Sequence, residues 1–198
     1  MILEHGIFIE DQVNGSTHSY SVLEASYLSD AKRAWIYREM EQGVVTEHVV
    51  GKSRMLDEPD VIYLASIGPM VTKCTVGLKR EIRNGVCKAL RTGARTFQFY
   101  NFLLDLEQIS AQVESRRLEL KRSREDMVER VPGVCGGEPV LRGTRFPVRL
   151  VASLLAQGVT EAEFAEEYGL TPQQVHAAAI YMSVYPPRGR PRKTSPDV

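Results

Sequence analysis

The stretch GGEPVLRGTRFPV, residues 136–148, decides how the last third of this 198-residue chain is read. Gly136, Gly137 and Gly143 supply turn backbone that a side chain would strain. Between them Val140 and Leu141 make a short strand, Phe146 turns toward a core and Pro147 begins a helix. Three short helices follow. The first runs over about 148–156 and is stopped by Gly158. The second covers 161–168 behind a Thr160 cap. The third covers 172–183, with Thr171 as cap and Pro172 at the first helical position. Leu150, Val151, Leu154, Leu155, Phe164, Tyr168, Leu170, Val175, Ala179 and Tyr181 are the expected core of this unit. Arg142 and Arg145 have two readings: braces that bond carbonyls in the turn, or phosphate contacts.

Upstream of Pro132-Gly133, residues 105–131 read as one long helix. Its apolar seam is thin (Leu106, Ile109, Val113, Leu118 or Leu120, Met127, Val131), and its other faces carry charges of both signs. So polar a helix suits a connector or a partner surface. Residues 96–104, TFQFYNFLL, read as the best strand in the chain, pairing with a neighbouring hairpin or with its own copy in a second subunit. Residues 76–91 are an amphipathic helix, with Leu78, Ile82, Val86 and Leu90 every four positions. Its Lys79, Arg80, Arg83, Lys88 and Arg91 stand against only Glu81. That face is either solvated or a contact for phosphate backbone.

The first half opens with a possible strand in ILEHGIFIE and a loop at NGST. SYSVLEASYLS then reads as a helix capped by Ser19 or Ser21. DAKRAWIYREMEQG is a second, with Asp30 as cap and Gly43 as stop. Two short helices joined by a tight turn outline a helix-turn-helix, with Lys32, Arg33 and Arg38 facing outward. VVTEHVVGKSRML follows as a small β-wing, its tip at Gly51-Lys52-Ser53, placing Lys52 and Arg54 nearby. These five cations are the candidate DNA-binding residues. Asp57 and Pro59 open a further helix, broken at Gly68-Pro69.

The fold expected is mainly α. A winged helix-turn-helix-like domain with a small β element spans 1–104, and a charged connector helix spans 105–131. A C-terminal three-helix, helix-turn-helix-like domain spans 132–185, and a basic tail covers 186–198. The tail, YPPRGRPRK, packs Arg188, Arg190, Arg192 and Lys193 onto a proline-stiffened arm. Since 25 basic and 25 acidic residues cancel over the whole chain, any contact with nucleic acid must come from a local patch.

Chemistry is sparse. His5, His18, His48 and His176 are scattered, and none sits at helical metal spacing from another His or Cys. There is no CxxC pair and no GxSxG. The glycine spacing at Gly137–Gly143 lacks the phosphate-binding lysine of a P-loop. The expectation is a non-enzyme with no metal and no cofactor. Cys74, Cys87 and Cys135 suit buried thiols in a reducing cytoplasm. No secretory signal and no membrane-length apolar run is apparent. The second helix pair of the C-terminal unit has no Lys or Arg on its would-be reading helix, and glutamates surround its turn. That unit is expected to pack or dimerise rather than read DNA.

The core G-x-P-V-x-R-G-T-R-x-P-V, with the helices after it and Y-x-L-T at Tyr168–Thr171, resembles the antitoxin domain of VapB-like proteins over about residues 131–184. The first half is similar, more loosely, to the N-terminal part of longer members. It departs from the frequent L-G-V-S turn, having Tyr27-Leu28-Ser29-Asp30 with no glycine. The resemblance implies a PIN-domain ribonuclease toxin as partner, an enzyme whose clustered carboxylates hold metal ions. Arg188, Arg190, Arg192 and Lys193 are then candidate toxin-binding residues that pair with those carboxylates. The expected function is an antitoxin that also represses its own operon, as a homodimer meeting two half-sites. The alternative is a stand-alone dimeric regulator whose basic tail contacts DNA.

Overall fold

A computed structural model of the chain describes residues 18–68 and 74–186. The possible strand in ILEHGIFIE and the tail cations Arg188, Arg190, Arg192 and Lys193 lie outside the described residues. The fold is mainly helical with small antiparallel sheets, in keeping with the expected class.

Strand β1 (Ser19–Ser21) leads directly into helix α1 (Val22–Ser29). Ser21 closes a capping box: its hydroxyl accepts from the Glu24 N–H, and the Glu24 carboxylate accepts from the Ser21 N–H. Helix α2 (Arg33–Glu41) follows after a short turn. Asp30 was expected to cap α2; it closes α1 instead, in the left-handed region at φ 59°. The cap position of α2 is Lys32, which supplies no side-chain bond. Such a turn needs one left-handed residue, and Asp is among the few besides glycine that adopt it readily. Asp30 therefore does the backbone work of the missing turn glycine. Ser29 fixes the turn by donating to the Ala25 carbonyl and accepting from the Ala31 N–H.

Strands β2 (Glu47–Val50) and β3 (Ser53–Asp57) form the expected hairpin around Gly51-Lys52. With β1 they make a sheet of order β1-β3-β2. Helices α3 (Glu58–Ile67) and α4 (Val76–Arg91) complete the first core, which centres on Ala25, Ile36, Leu56, Tyr63, Leu64 and Val86.

The basic face of α4 is neither wholly solvated nor free for phosphates. Lys79 is buried and donates to Glu39 at 2.6 Å. Glu39, fully buried on α2, also accepts from Trp35 Nε1 at 2.8 Å and from the Tyr63 hydroxyl at 3.2 Å. Burial, with Glu39 second, pushes the Tyr63 phenol far up. Arg83 makes a two-pronged bond to buried Asp60 at 2.7 and 3.1 Å and reaches Thr46. Burial raises the Asp60 carboxyl despite that arginine. Arg80 donates to the carbonyls of Gln42 and Gly43. Three of the five cations thus tie α4 to α2, to the loop after α2 and to α3.

TFQFYNFLL is not one strand. It folds back as β4 (Thr96–Phe99) and β5 (Phe102–Asp105), with Tyr100 at φ 49° in the turn. It pairs with itself rather than with the wing. The Phe97 ring points its tip at α4 where that helix has Gly85; a Cβ there would sit 2.1 Å from Phe97 Cζ.

Helix α5 (Leu106–Arg122) starts at Asp105, whose carboxylate accepts from the Gln108 N–H at 2.9 Å. It does not reach residue 131. A π-type turn at Ser123–Met127 ends it, and β6 (Val128–Glu129) pairs with β7 (Val140–Leu141). At that turn Ser123 is buried and donates to the Ala177 carbonyl at 2.7 Å, tying the turn to the second unit; the backbone becomes extended at Val128. Leu120, not Leu118, faces inward.

The second unit has helices α6 (Val148–Ala156), α7 (Glu161–Tyr168) and α8 (Pro172–Val184), close to the expected spans. Thr160 with Glu163 and Thr171 with Gln174 form capping boxes. Its core is Val128, Leu141, Val148, Val151, Phe164, Leu170, Val175 and Ala178. Leu150 and Tyr168, expected inside, are exposed. Val148 and Val151 face the core, and Leu150, two positions past Val148, turns away from it. Tyr168 packs edge-on against Phe146 at 5.4 Å on the rim.

The two units share a seam of Leu120, Ile180 and Val184 with Leu23, Tyr27 and Tyr185. Tyr185 donates to Glu24 at 2.8 Å and Tyr27 to Glu119 at 3.1 Å. Burial first, then the neighbouring carboxylate, pushes each phenol up to about 12.

Candidate nucleic-acid interface

Helix α2 turns Trp35, Ile36, Glu39 and Met40 toward the protein and leaves Lys32, Arg33 and Arg38 exposed, as the sequence pattern requires. Lys32 and Arg38 line a cleft of about 670 Å³ together with Asp30, Trp35 and Arg116. Arg116 reaches it from α5. It donates to the Tyr27 carbonyl at 3.0 Å and lies 3.6 Å from the Asp30 carboxylate. It clamps the turn between α1 and α2 while adding a cation to the same cleft. Nothing in the sequence signals this, because Arg116 sits among alternating charges on a polar helix more than eighty residues from the turn.

Lys52 is exposed at the wing tip, beside Val49 (67% exposed) and Val50 (59%). Arg54 pairs with Glu47 across the hairpin at 3.2 Å, so part of its charge is answered within the wing. The five expected cations therefore fall into two groups. Lys32, Arg33 and Arg38 share α2, whereas Lys52 and Arg54 belong to the wing and do not line the α2 cleft.

In the motif at residues 136–148, Arg142 donates to the Glu125 carbonyl at 2.7 Å, which is the bracing reading. Arg145 is exposed. Arg130 donates to the Gly137 carbonyl at 3.0 Å, and Arg149 lies 3.4 Å from Glu138. These groups rim a cleft of about 890 Å³ between the units, with Leu23, Tyr181 and Tyr185 on its walls. Cys135, expected buried, is exposed on this turn; Cys74 and Cys87 are half-buried. Glu161, Glu166 and Glu167 of α7 are exposed, and α8 spends its inner face on α6, α1 and α5. Among the described residues no group of three His, Cys, Asp or Glu side chains is placed to hold a metal ion. Among them, too, no helix is long and apolar enough to cross a membrane.

Residues 128–182 match the family described as DUF433, protein of unknown function. The match begins at β6 and ends in α8, so it covers the second unit alone. An uncharacterized protein, y4eO, of Sinorhizobium fredii is 37% identical over 79 residues, which is 39% of this chain and 36% of that protein. The chain thus spans about a third of that relative's length. The crystal structure of a DUF433 member from Anabaena variabilis is 32% identical, covering 41% of this chain and 84% of its own, with a TM-score of 0.30. That of Rv2018 from Mycobacterium tuberculosis is 16% identical, covering 80% of this chain and 96% of its own, with a TM-score of 0.33.

Proposed function

We propose that this chain is a DNA-binding repressor of the antitoxin kind, acting in the cytoplasm, whose first unit grips an operator and whose C-terminal region holds a PIN-type ribonuclease toxin. One observation carries the DNA half of the reading. A helix pair with a left-handed Asp30 turn presents Lys32, Arg33 and Arg38 on one exposed helix, directly before a hairpin tipped by Lys52. Helix, turn and wing in that order suit a helix in the major groove with a hairpin on the neighbouring backbone. The toxin half is supported by the motif at residues 136–148 and by the charge density of the tail, whose guanidinium groups suit the metal-binding carboxylates of such a nuclease.

The test uses the intact chain and the DNA upstream of its gene. Replacing Lys32, Arg33 and Arg38 with alanine is expected to weaken binding and flatten its salt dependence by about three phosphate contacts. Unchanged binding and salt slope would overturn the DNA assignment. Removing residues 186–198 is expected to abolish inhibition of a PIN-type nuclease encoded beside the gene, with operator affinity kept. Loss of operator affinity with inhibition retained would instead assign the tail to DNA, as in a stand-alone regulator.

A further inference from the structure

We infer that the β4–β5 hairpin is the contact by which two copies of this chain pair, edge to edge through β5, into a symmetric dimer. The inference deepens the two-half-site reading above, and rests on that reading only for its use at an operator.

The hairpin is a sheet of two strands, which in isolation is marginal. Strand β4 packs on α4 and α5, whereas β5 is paired to β4 alone among the described strands. Its outer edge therefore presents unpaired backbone groups. Proteins commonly guard such an edge with lysine, proline or a bulge. Here the whole run from Thr96 to Leu104 carries no charge and no proline. The charge in β5 is Asp105 at its end, engaged with the Gln108 N–H, and the apolar edge before it is a template for another strand.

The side chains at the edge are open. Tyr100 is 75% exposed, Phe102 54% and Leu103 67%. With a full aromatic side chain worth roughly 150–250 Å², the two rings leave on the order of 200–300 Å² uncovered, and Leu103 adds about 100 Å². A standard interface buries about 800 Å² per partner, of which about 60% is apolar. The exposed patch supplies most of that apolar share. Tyr100 and Phe102 themselves line an apolar groove of about 460 Å³, with Ile67, Leu78, Ile82 and Leu104 behind them.

Charge decides in favour of a second copy. Antiparallel pairing of β5 with itself sets the start of each strand against the end of the other. The charged base of one hairpin, where Arg95 lies 3.7 Å from Glu107, then adjoins the uncharged Tyr100-Asn101 tip of the next. No like charges meet. Leu103 lies on the sheet face opposite Phe102 and Leu104, and a two-fold axis placed at Leu103 sets it against its own copy.

The test is the mass of the full chain in solution, by light scattering or sedimentation. The monomer is 22.2 kDa, so the dimer is twice that, about 44 kDa. Leu103→Glu and Leu103→Lys are each expected to run at the monomer mass with unchanged helical circular dichroism. Mixed one to one, they are expected to return to the dimer, because glutamate of one copy then faces lysine of the other. A monomeric wild type at tens of micromolar would overturn the proposal. So would dimers that persist in both variants, or monomers that mixing fails to rescue. The DNA reading is scored separately, because a Leu103 monomer keeps the α2 and wing cations and still engages a single half-site. A dimer that Leu103 controls but that binds no DNA would uphold the seam and remove the operator reading.

Discussion

The two units are held together by different physics. The first buries Glu39, Asp60 and Lys79 at its centre; the second buries no charged residue at all. In the first, α2, α3 and α4 are registered by ion pairs whose partners lie 23 and 40 positions apart, Asp60 with Arg83 and Glu39 with Lys79. In the second, glycine turns and threonine caps set where each helix begins and ends, and apolar packing does the rest. Ion pairs specify one arrangement and tolerate little loss. Caps and apolar contacts are individually weaker and are spread along the chain.

The largest expected effect probes the ion pairs. Lys79→Met keeps the stem but leaves Glu39 buried without its cation, and is expected to cost about 3–5 kcal/mol in denaturant unfolding. Adding Glu39→Gln should recover most of it, since the amide oxygen still accepts from Trp35 and the amide N–H can donate to the Tyr63 hydroxyl oxygen. A loss below about 1 kcal/mol in the single variant would erase the contrast between the units.

A smaller effect is expected from Thr171→Ala, which removes the α8 capping box. It should cost about 1 kcal/mol. A loss as large as that of Lys79→Met would mean that the second unit also hangs on a single polar contact.

The smallest effect belongs to the seam between them, read by pH. The phenols of Tyr27 and Tyr185 ionise at about 12 in the folded chain, against an ordinary value of 10.0. A raised phenol binds its proton more tightly when folded, so its contribution is complete below pH 10 and is lost as pH climbs through 12. Alkaline titration followed by tyrosinate absorbance and stability should show a transition in that window. Replacing both tyrosines with phenylalanine should reduce it, the remainder coming from Tyr20 of the first unit, which burial also pushes up to about 12. A transition of undiminished size would place the alkaline weakness inside a unit rather than between them.

The second unit was the more legible in sequence. Its caps, glycines and helix spans are local signals, and α6, α7 and α8 begin and end close to where Pro147, Thr160, Gly158 and Pro172 place them. Leu150 was misread because an apolar residue beside an apolar face looks the same in one dimension. The wing and α4 were equally legible, one from Gly51-Lys52 and the other from a four-residue apolar repeat. The hairpin in TFQFYNFLL was not, because its apolar run continues through the turn and Tyr100 is an uncommon residue at positive φ. Helix α5 was drawn too long for a related reason. Charges persist past Arg122, and the change to a π turn at Ser123, which bonds the distant Ala177 carbonyl, has no local signal.

Of the candidate site, the sequence marked Lys32, Arg33, Arg38 and Lys52 by the outward face of a helix and the tip of a turn. It left Arg116 unmarked, and it placed Arg54 in the site without its Glu47 partner. By itself, then, the sequence determined the helix content, the wing, the motif-bearing second unit and the outward cations of α2, because spacing, caps and turn residues act within a few positions. The tertiary structure alone decided which cations are spent inside. Whether Lys79 or Arg83 meets water or a carboxylate depends on a helix folded against it from far along the chain.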